Sequence, residues 1–481
     1  MVFSSLLFLY AFLPLFLTAY YLTPARHRNA VALTASIVFY AWGEPVFVLV
    51  LGGVSVLVYG VSRKLGSLPE TATRARRFWL TLGLVIAVGL LVICKYTNFF
   101  FEQLNGVLGW LQHGSVVWTK AALPIGVSFF TFQKVSYLVD VYRGTARPAR
   151  SLQDFLLFVA LFPQLIAGPI VRYHDIAGQI VDREYRVDRF LSGLWRFLLG
   201  LGRKVLFANQ LGFVADKIFA HEAATLPMAY AWMGLLCYTF QIYFDFAGYS
   251  DMAIGLGRMM GFELLENFNR PYTARSITEF WHRWHISLTN FMRDYLYIPL
   301  GGNRRGRART VWNLWLVFLA SGFWHGASWN FVAWGAYHGS LLSLERLIGR
   351  ARIDRVPALL GRLGTMVAVM LGWVLFRSGN FSYARSFLQR LYAWKSWGVP
   401  PTDFNFLWPE VVSRRSIAVL LLAALISFVP DRFWQRWGWD DALPAGRAAG
   451  VLRTGIAATC LVFATAALAS QSYNPFIYFR F

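Results

Sequence analysis

Acidic residues are scarce in this chain, and charge of either sign is thin. Its 481 residues hold 24 Asp and Glu against 46 Lys and Arg, and only 15% of the sequence is charged. Soluble domains average roughly 25%, so a water-soluble globule, a disordered chain and a coiled coil are excluded. Cysteine is nearly absent: Cys94, Cys237 and Cys460 lie far apart in apolar stretches, which excludes a disulfide framework or a zinc knuckle. There is no Gly-x-Ser-x-Gly elbow, Walker loop, dinucleotide fingerprint or His-Glu-x-x-His pair. A serine hydrolase, a nucleotide-driven enzyme and an intramembrane metalloprotease therefore lack support, and no bound metal is expected.

What is present is apolar and aromatic. Hydrophobic residues make up 57% of the chain, with 20 Trp, 22 Tyr and 42 Phe, and the mean hydropathy is +0.46. This is the composition of a polytopic integral membrane protein with interfacial aromatic belts. The net charge of +22 would suggest nucleic acid on a soluble protein. Here the basic residues fall in short blocks between apolar runs, such as Arg63 to Arg77, Arg143 to Arg150, Arg304 to Arg309 and Arg346 to Arg355. That is the positive-inside pattern of cytoplasmic loops. Membrane lipids, and not nucleic acid, are the expected surroundings.

A helix needs about 20 apolar residues to cross the hydrocarbon core. Candidate spans are 3–22, 46–61, 78–97, 152–170, 226–248, 311–332, 356–376, 416–430 and 448–470. The segments 30–42, 117–135 and 190–213 are apolar but interrupted by Gly, Pro or charge, as re-entrant pieces buried in a bundle would be. The expected fold is all-α and polytopic, with about 10–12 transmembrane or re-entrant helices. The first run lacks a charged n-region and a clean cleavage site and is read as retained. With the basic loops inside, the N-terminus and the C-terminal tail both fall outside, although the external segment 377–415 then carries six basic residues.

Ionisable groups at membrane depth are expensive and mark function. His325 sits in Phe323-Trp324-His325-Gly326-Ala327-Ser328-Trp329-Asn330, inside an apolar span whose small residues leave room for a substrate or another backbone. A second cluster, 279–295, holds His282 and His285, three apart and hence neighbours on a helix. Asp245 and Asp251 follow a long apolar run and need donors, from Gln241, Tyr243, Tyr249 or an arginine. In 163–170, Pro163, Gly168 and Pro169 should break a helix and free carbonyls to line a cavity. For each of these a structural hydrogen-bond network competes with catalysis.

Taken together, 281–295, 321–330, 162–169 and 243–251 resemble the membrane-bound O-acyltransferases (MBOAT), and among them the bacterial polysaccharide-modifying branch of the alginate O-acetyltransferase type. Met1 to Ser5 and Phe39 to Pro45 are similar to the same branch, so the resemblance spans nearly the whole chain. It implies one membrane domain, 1–481, forming a core around a buried histidine, with an aromatic tail at 474–481. It makes His325 the catalytic residue and His285, in Trp284-His285-Ile286-Ser287, the second family histidine, one that orients a substrate or polarises a thioester carbonyl. His282, Asp245, Asp251 and Asn330 are supporting candidates.

The tail Phe476-Ile477-Tyr478-Phe479-Arg480-Phe481 is similar to that of the small peptide partner in teichoic acid D-alanylation. That likeness makes Tyr478 a candidate acyl relay, with an aromatic interfacial anchor as the competing reading. The implied reaction moves an acetyl group from a cytosolic thioester, such as acetyl-CoA, across the bacterial inner membrane. Its acceptor is a periplasmic or membrane-anchored partner protein, for O-acetylation of an exopolysaccharide such as alginate. Cellulose or peptidoglycan acetylation and teichoic acid D-alanylation stay open within the same chemistry. A transporter or flippase with a histidine-lined path is the alternative from another class. The loop Arg304 to Arg309 is placed to attract the donor's phosphates.

Overall fold

A computed structural model of the chain describes residues 1–397, 412–429, 447–470 and 473–477. Apolar runs with no water partner for their backbone groups must satisfy them internally, and the structure does so with helices throughout. No β-strand forms among the described residues; one isolated bridge joins Phe268 and Trp284. Phe47–Ser67, Thr73–Trp110, Ala358–Arg377 and Gly450–Ser470 are each long and apolar enough to cross a membrane. Ala358–Arg377 buries Val369, Met370, Trp373 and Phe376 while Leu359, Leu360 and Leu363 stay exposed, as a lipid-facing helix must. The protein is an all-helical polytopic membrane protein.

Two expected spans, and one segment expected to be interrupted, differ in detail. The stretch 152–170 does not cross as one helix. Leu152–Ala160, capped by Ser151, ends at Leu161, and after the short turn Phe162–Leu165 the backbone is irregular through Gly168 at φ 110°. Pro163 opens that turn, and Pro169 has no N–H to continue it. The stretch 311–332 is two helices, Gly306–His325 and Trp329–Ile348, parted at Gly326. By contrast 190–213, expected to be interrupted, is helical from Val187 to Phe219 through a wide turn at Arg203–Ala208.

The chain forms two compact units, Met1–Phe190 with Leu256–Leu265, and Leu191–Gly255 with Glu266–Phe481. In the first, the hydroxyl of Tyr20 donates to the Met260 carbonyl at 2.8 Å and the Arg183 guanidinium lies 4.0 Å over the Phe262 ring. The second holds an aromatic-rich core that includes Tyr238, Tyr272, Trp281, Trp284, Trp334 and Trp373. The candidate histidines, Asp245, Asp251 and Asn330 all lie in this second unit, and the broken segment 163–170 in the first.

Candidate active site

His325 is the last residue of Gly306–His325, because the chain turns extended at Gly326. The helix that follows packs back on this one at very close range. A methyl on Gly322 would overlap the Phe331 carbonyl oxygen, and one on Gly335 would overlap that of Phe318. The room left by Gly322 is thus taken by another backbone. The same closeness puts Trp334 against His325, with ring centroids 5.2 Å apart. Trp324 at 4.8 Å and Phe376 at 5.2 Å complete an aromatic cage, and the imidazole is 6% exposed. Such a cage shields the ring from bulk water.

His285 arrives by a different route. The helix Ile277–Arg283, capped by Ser276, stops before Trp284, whose backbone is extended and forms the bridge to Phe268. His285 then adopts a left-handed conformation at φ 46°, uncommon for a residue with a Cβ and often found at functional sites. The expected pairing of His282 and His285 on one helix face therefore fails. His282 is exposed and its Nδ1 contacts the Thr278 carbonyl at 2.7 Å, whereas His285 is buried. The imidazoles of His285 and His325 are close enough to interact electrostatically.

Asn267 fixes how His285 presents itself, and nothing in the sequence marked it. Its Oδ1 accepts from the Ser287 backbone N–H at 3.3 Å and the Ser287 hydroxyl at 2.8 Å, and lies 3.0 Å from His285 Nδ1. A backbone N–H only donates, so that side-chain atom is the oxygen. His285 must then donate through Nδ1, and in the neutral ring Nε2 carries the lone pair. The Asn267 amide in turn donates to Ser250 Oγ at 3.1 Å. Asn267→Leu keeps the branched shape at slightly greater bulk and removes every one of these side-chain bonds. An expected loss of about 1–3 kcal/mol of stability is read as a lowered melting temperature of the purified protein.

Asp245 finds a donor outside the expected set, whereas Asp251 takes arginines as expected. Asp245 pairs with Lys204 at 2.5 Å, each side chain 2% exposed, and its Oδ2 accepts the Ile477 N–H at 2.8 Å. Lys204 also donates to Asn209 Oδ1 at 2.9 Å and to the Pro475 carbonyl. Asn209 donates to Asn474 at 3.0 Å, the Tyr473 hydroxyl donates to Asp216 at 2.7 Å, and Phe476 stacks on Tyr249 at 4.5 Å. Residues 473–477 are thereby held inside the second unit, with Phe476 and Ile477 buried. Tyr478 lies outside the described residues.

Asp251 takes Arg196 at 3.0 Å and Arg203. Asn330 donates to the Ser378 carbonyl at 2.8 Å and so ties the helix after His325 to the end of Ala358–Arg377. Lys204 carried an unused signal, a lysine inside an apolar run. So did His338, fully buried beside Trp334 at 5.1 Å and Trp281 at 5.1 Å.

The chain is similar to known proteins over its whole length. A family model for the membrane-bound O-acyltransferases (MBOAT) matches residues 146–376, which include Lys204, Asp245, Asn267, His285 and His325. A protein of Azotobacter vinelandii described as "Probable alginate O-acetylase AlgI" is 42% identical over the full length of both chains. The "Peptidoglycan O-acetyltransferase" of Helicobacter pylori is 38% identical over 81% of this chain and 79% of its own. The "Teichoic acid D-alanyltransferase" of Bacillus subtilis is 27% identical over 46% of this chain and 58% of its own.

Proposed function

Because the chain belongs to the membrane-bound O-acyltransferase family, we propose that it moves an acetyl group from a cytosolic thioester, such as acetyl-CoA, to a periplasmic acceptor that O-acetylates an exopolysaccharide. Alginate is the polymer, by similarity over the whole chain to a protein described as an alginate O-acetylase. The seat of the reaction is the bacterial inner membrane. The observation that carries this reading is the pair of buried imidazoles, His325 in its aromatic cage and His285 with its tautomer held by Asn267.

Acyl transfer to oxygen needs a base for the hydroxyl and donors for the oxyanion. His325 takes the proton as the acceptor oxygen attacks the thioester carbonyl. The tetrahedral intermediate collapses with cleavage of the C–S bond, and the imidazolium returns the proton to the departing sulfur. Of the two roles expected of His285, orienting a hydroxyl is the one its hydrogen bond to Asn267 supports. Polarising a carbonyl would need a donor at Nε2, whereas Asn267 keeps the proton on Nδ1. Nε2 therefore accepts, and His285 orients a hydroxyl.

The first acceptor is Tyr478, which passes the acetyl group to a separate periplasmic or membrane-anchored protein of the same polysaccharide pathway. Burial of Phe476 and Ile477, with Asp245 holding the Ile477 amide, supports the relay over an anchor in the lipid interface, because an anchor would face outward. Tyr478→Phe tests it. The variant retains an aromatic ring but has no nucleophile, so acetyl transfer to the polymer is expected to fall to background while the protein still inserts. Undiminished acetylation would assign the first acceptor hydroxyl to the partner.

A further inference from the structure

In the first unit the helical run Thr73–Trp110 is 38 residues long, nearly twice the roughly 20 that cross the hydrocarbon core. Arg74, Arg76 and Arg77 at its start mark the inner end, so its last turns, within Thr97–Trp110, are carried beyond the outer face. The helix then stops in a Schellman turn. Gln112 takes a left-handed backbone at φ 56°, and the N–H groups of His113 and Gln112 donate to the Leu108 and Gly109 carbonyls at 2.8 and 3.1 Å. The chain doubles back, and 114–123 runs beside the helix with no turn or helix of its own.

Two asparagines hold that run. Asn98 and Asn105 lie about two turns apart and share a helix face. The Asn105 side-chain amide donates to the Val116 carbonyl at 2.9 Å and accepts the Val116 N–H at 2.8 Å. Asn98 does the same for Ala121, at 2.9 Å each way, and Trp118 stacks on Phe101. Each amide thus stands in for a neighbouring strand along one edge. The other edge is open: among the described residues Ser115, Val117, Thr119 and Lys120 make no backbone hydrogen bond, and all four are exposed. Successive residues of an extended chain turn their N–H and C=O groups to alternate sides, so those of Ser115 and Val117 face away from Asn105. The run Ser115-Val116-Val117-Trp118-Thr119-Lys120 is rich in the β-branched and aromatic residues that strands favour.

Such an edge fits neither lipid nor bare water. Unpaired N–H and C=O groups cannot lie in hydrocarbon. Yet Val117 is 93% exposed, and Trp110, Leu111 and Leu123 are exposed with it, as on a strand edge that another chain covers. We propose that 115–120 docks an edge strand of the separate protein that collects the acetyl group outside the membrane. The partner strand pairs its main chain with the open groups of Ser115, Val117 and Thr119, so that backbone bonds supply affinity and alternate side chains supply specificity. Lys120, which makes no ion pair among the described residues, suits an acidic side chain opposite. That the partner is the acetyl acceptor rests on the function proposed above; the strand dock itself does not.

The test is photo-crosslinking of the full chain in whole cells that make the polymer and are fed radiolabelled acetate. With p-benzoylphenylalanine incorporated at position 119, an adduct with one separate protein that also carries the label is expected, its yield set against the amount of inserted protein. Val117→Pro removes a donor from the open edge and keeps Val116 extended, so the adduct should fall about tenfold or more. Val117→Thr retains the N–H and the branched shape and should keep the yield within about twofold. An adduct with phospholipid or with a second copy of this chain, or none at all, overturns the proposal. So does an adduct that survives Val117→Pro, or a protein partner that stays unlabelled while the polymer is acetylated. Partner and polymer both unlabelled in cells with no other substitution would fail the function and leave a proline-sensitive dock standing.

Discussion

His325→Ala lowers acetyl transfer by about 10²–10⁴-fold, the span typical for loss of a positioned general base. The size of the effect follows from where the ring sits. Trp324, Trp334 and Phe376 wall it on three sides, so bulk water has little access to replace it as proton acceptor. The helix hairpin that carries it is held by backbone contacts at Gly322 and Gly335, which the substitution leaves alone. Loss of activity should therefore not be loss of fold. His325→Gln, closer in volume and still polar, guards against a packing artefact and should be equally inactive. Acetyl content of the polymer from cells expressing each variant, set against the amount of inserted protein, is the measurement. Near-normal acetylation in either variant would remove His325 from the chemistry.

The second large effect is expected at Lys204 and Asp245. Removing one member of a buried ion pair strands the other charge, at a cost of about 3–5 kcal/mol. Here it also releases residues 473–477, because Lys204 holds the Pro475 carbonyl and Asp245 the Ile477 amide. Lys204→Met should expose the chain's last residues to carboxypeptidase and abolish transfer through Tyr478. Lys204→Met/Asp245→Leu, with no stranded charge, should recover much of the thermal stability. It should remain inactive, because the tail's hydrogen bonds are still missing. That split between stability and activity separates a positioning role from a merely structural one. A double variant that regains both would show that the pair serves packing alone.

Which parts were legible beforehand follows from what each residue type costs in oil. Histidines and aspartates inside apolar runs stand out because burial penalises them, so His325, His285, Asp245 and Asp251 could be singled out as buried polar groups from their surroundings. Their partners could not. Asn267 is an ordinary amide in an ordinary stretch, and its meaning arises only when the bridge between Phe268 and Trp284 brings it to His285. The same bridge explains why helical spacing misled at His282: Trp284 leaves the helix, and periodicity ends with it. Hydropathy likewise could not separate the hairpin at His325 from a single crossing, since Gly326 and Ala327 are as apolar as the helices they divide. The arginines that hold Asp251 were hidden for the opposite reason. A block of arginines at 304–309 is visible as a run, whereas Arg196 and Arg203 converge on Asp251 only in three dimensions.

Acyl chemistry at the buried imidazoles, with the group leaving on the other side of the membrane, is tested directly in sealed proteoliposomes that hold the protein and its periplasmic acceptor, with radiolabelled acetyl-CoA supplied on one face. Free CoA is expected on the supplied face and label covalently on the acceptor at the opposite face, in equal amounts, with neither product formed by His325→Ala. Label that crosses the membrane while the thioester stays intact would contradict it and make the protein a transporter.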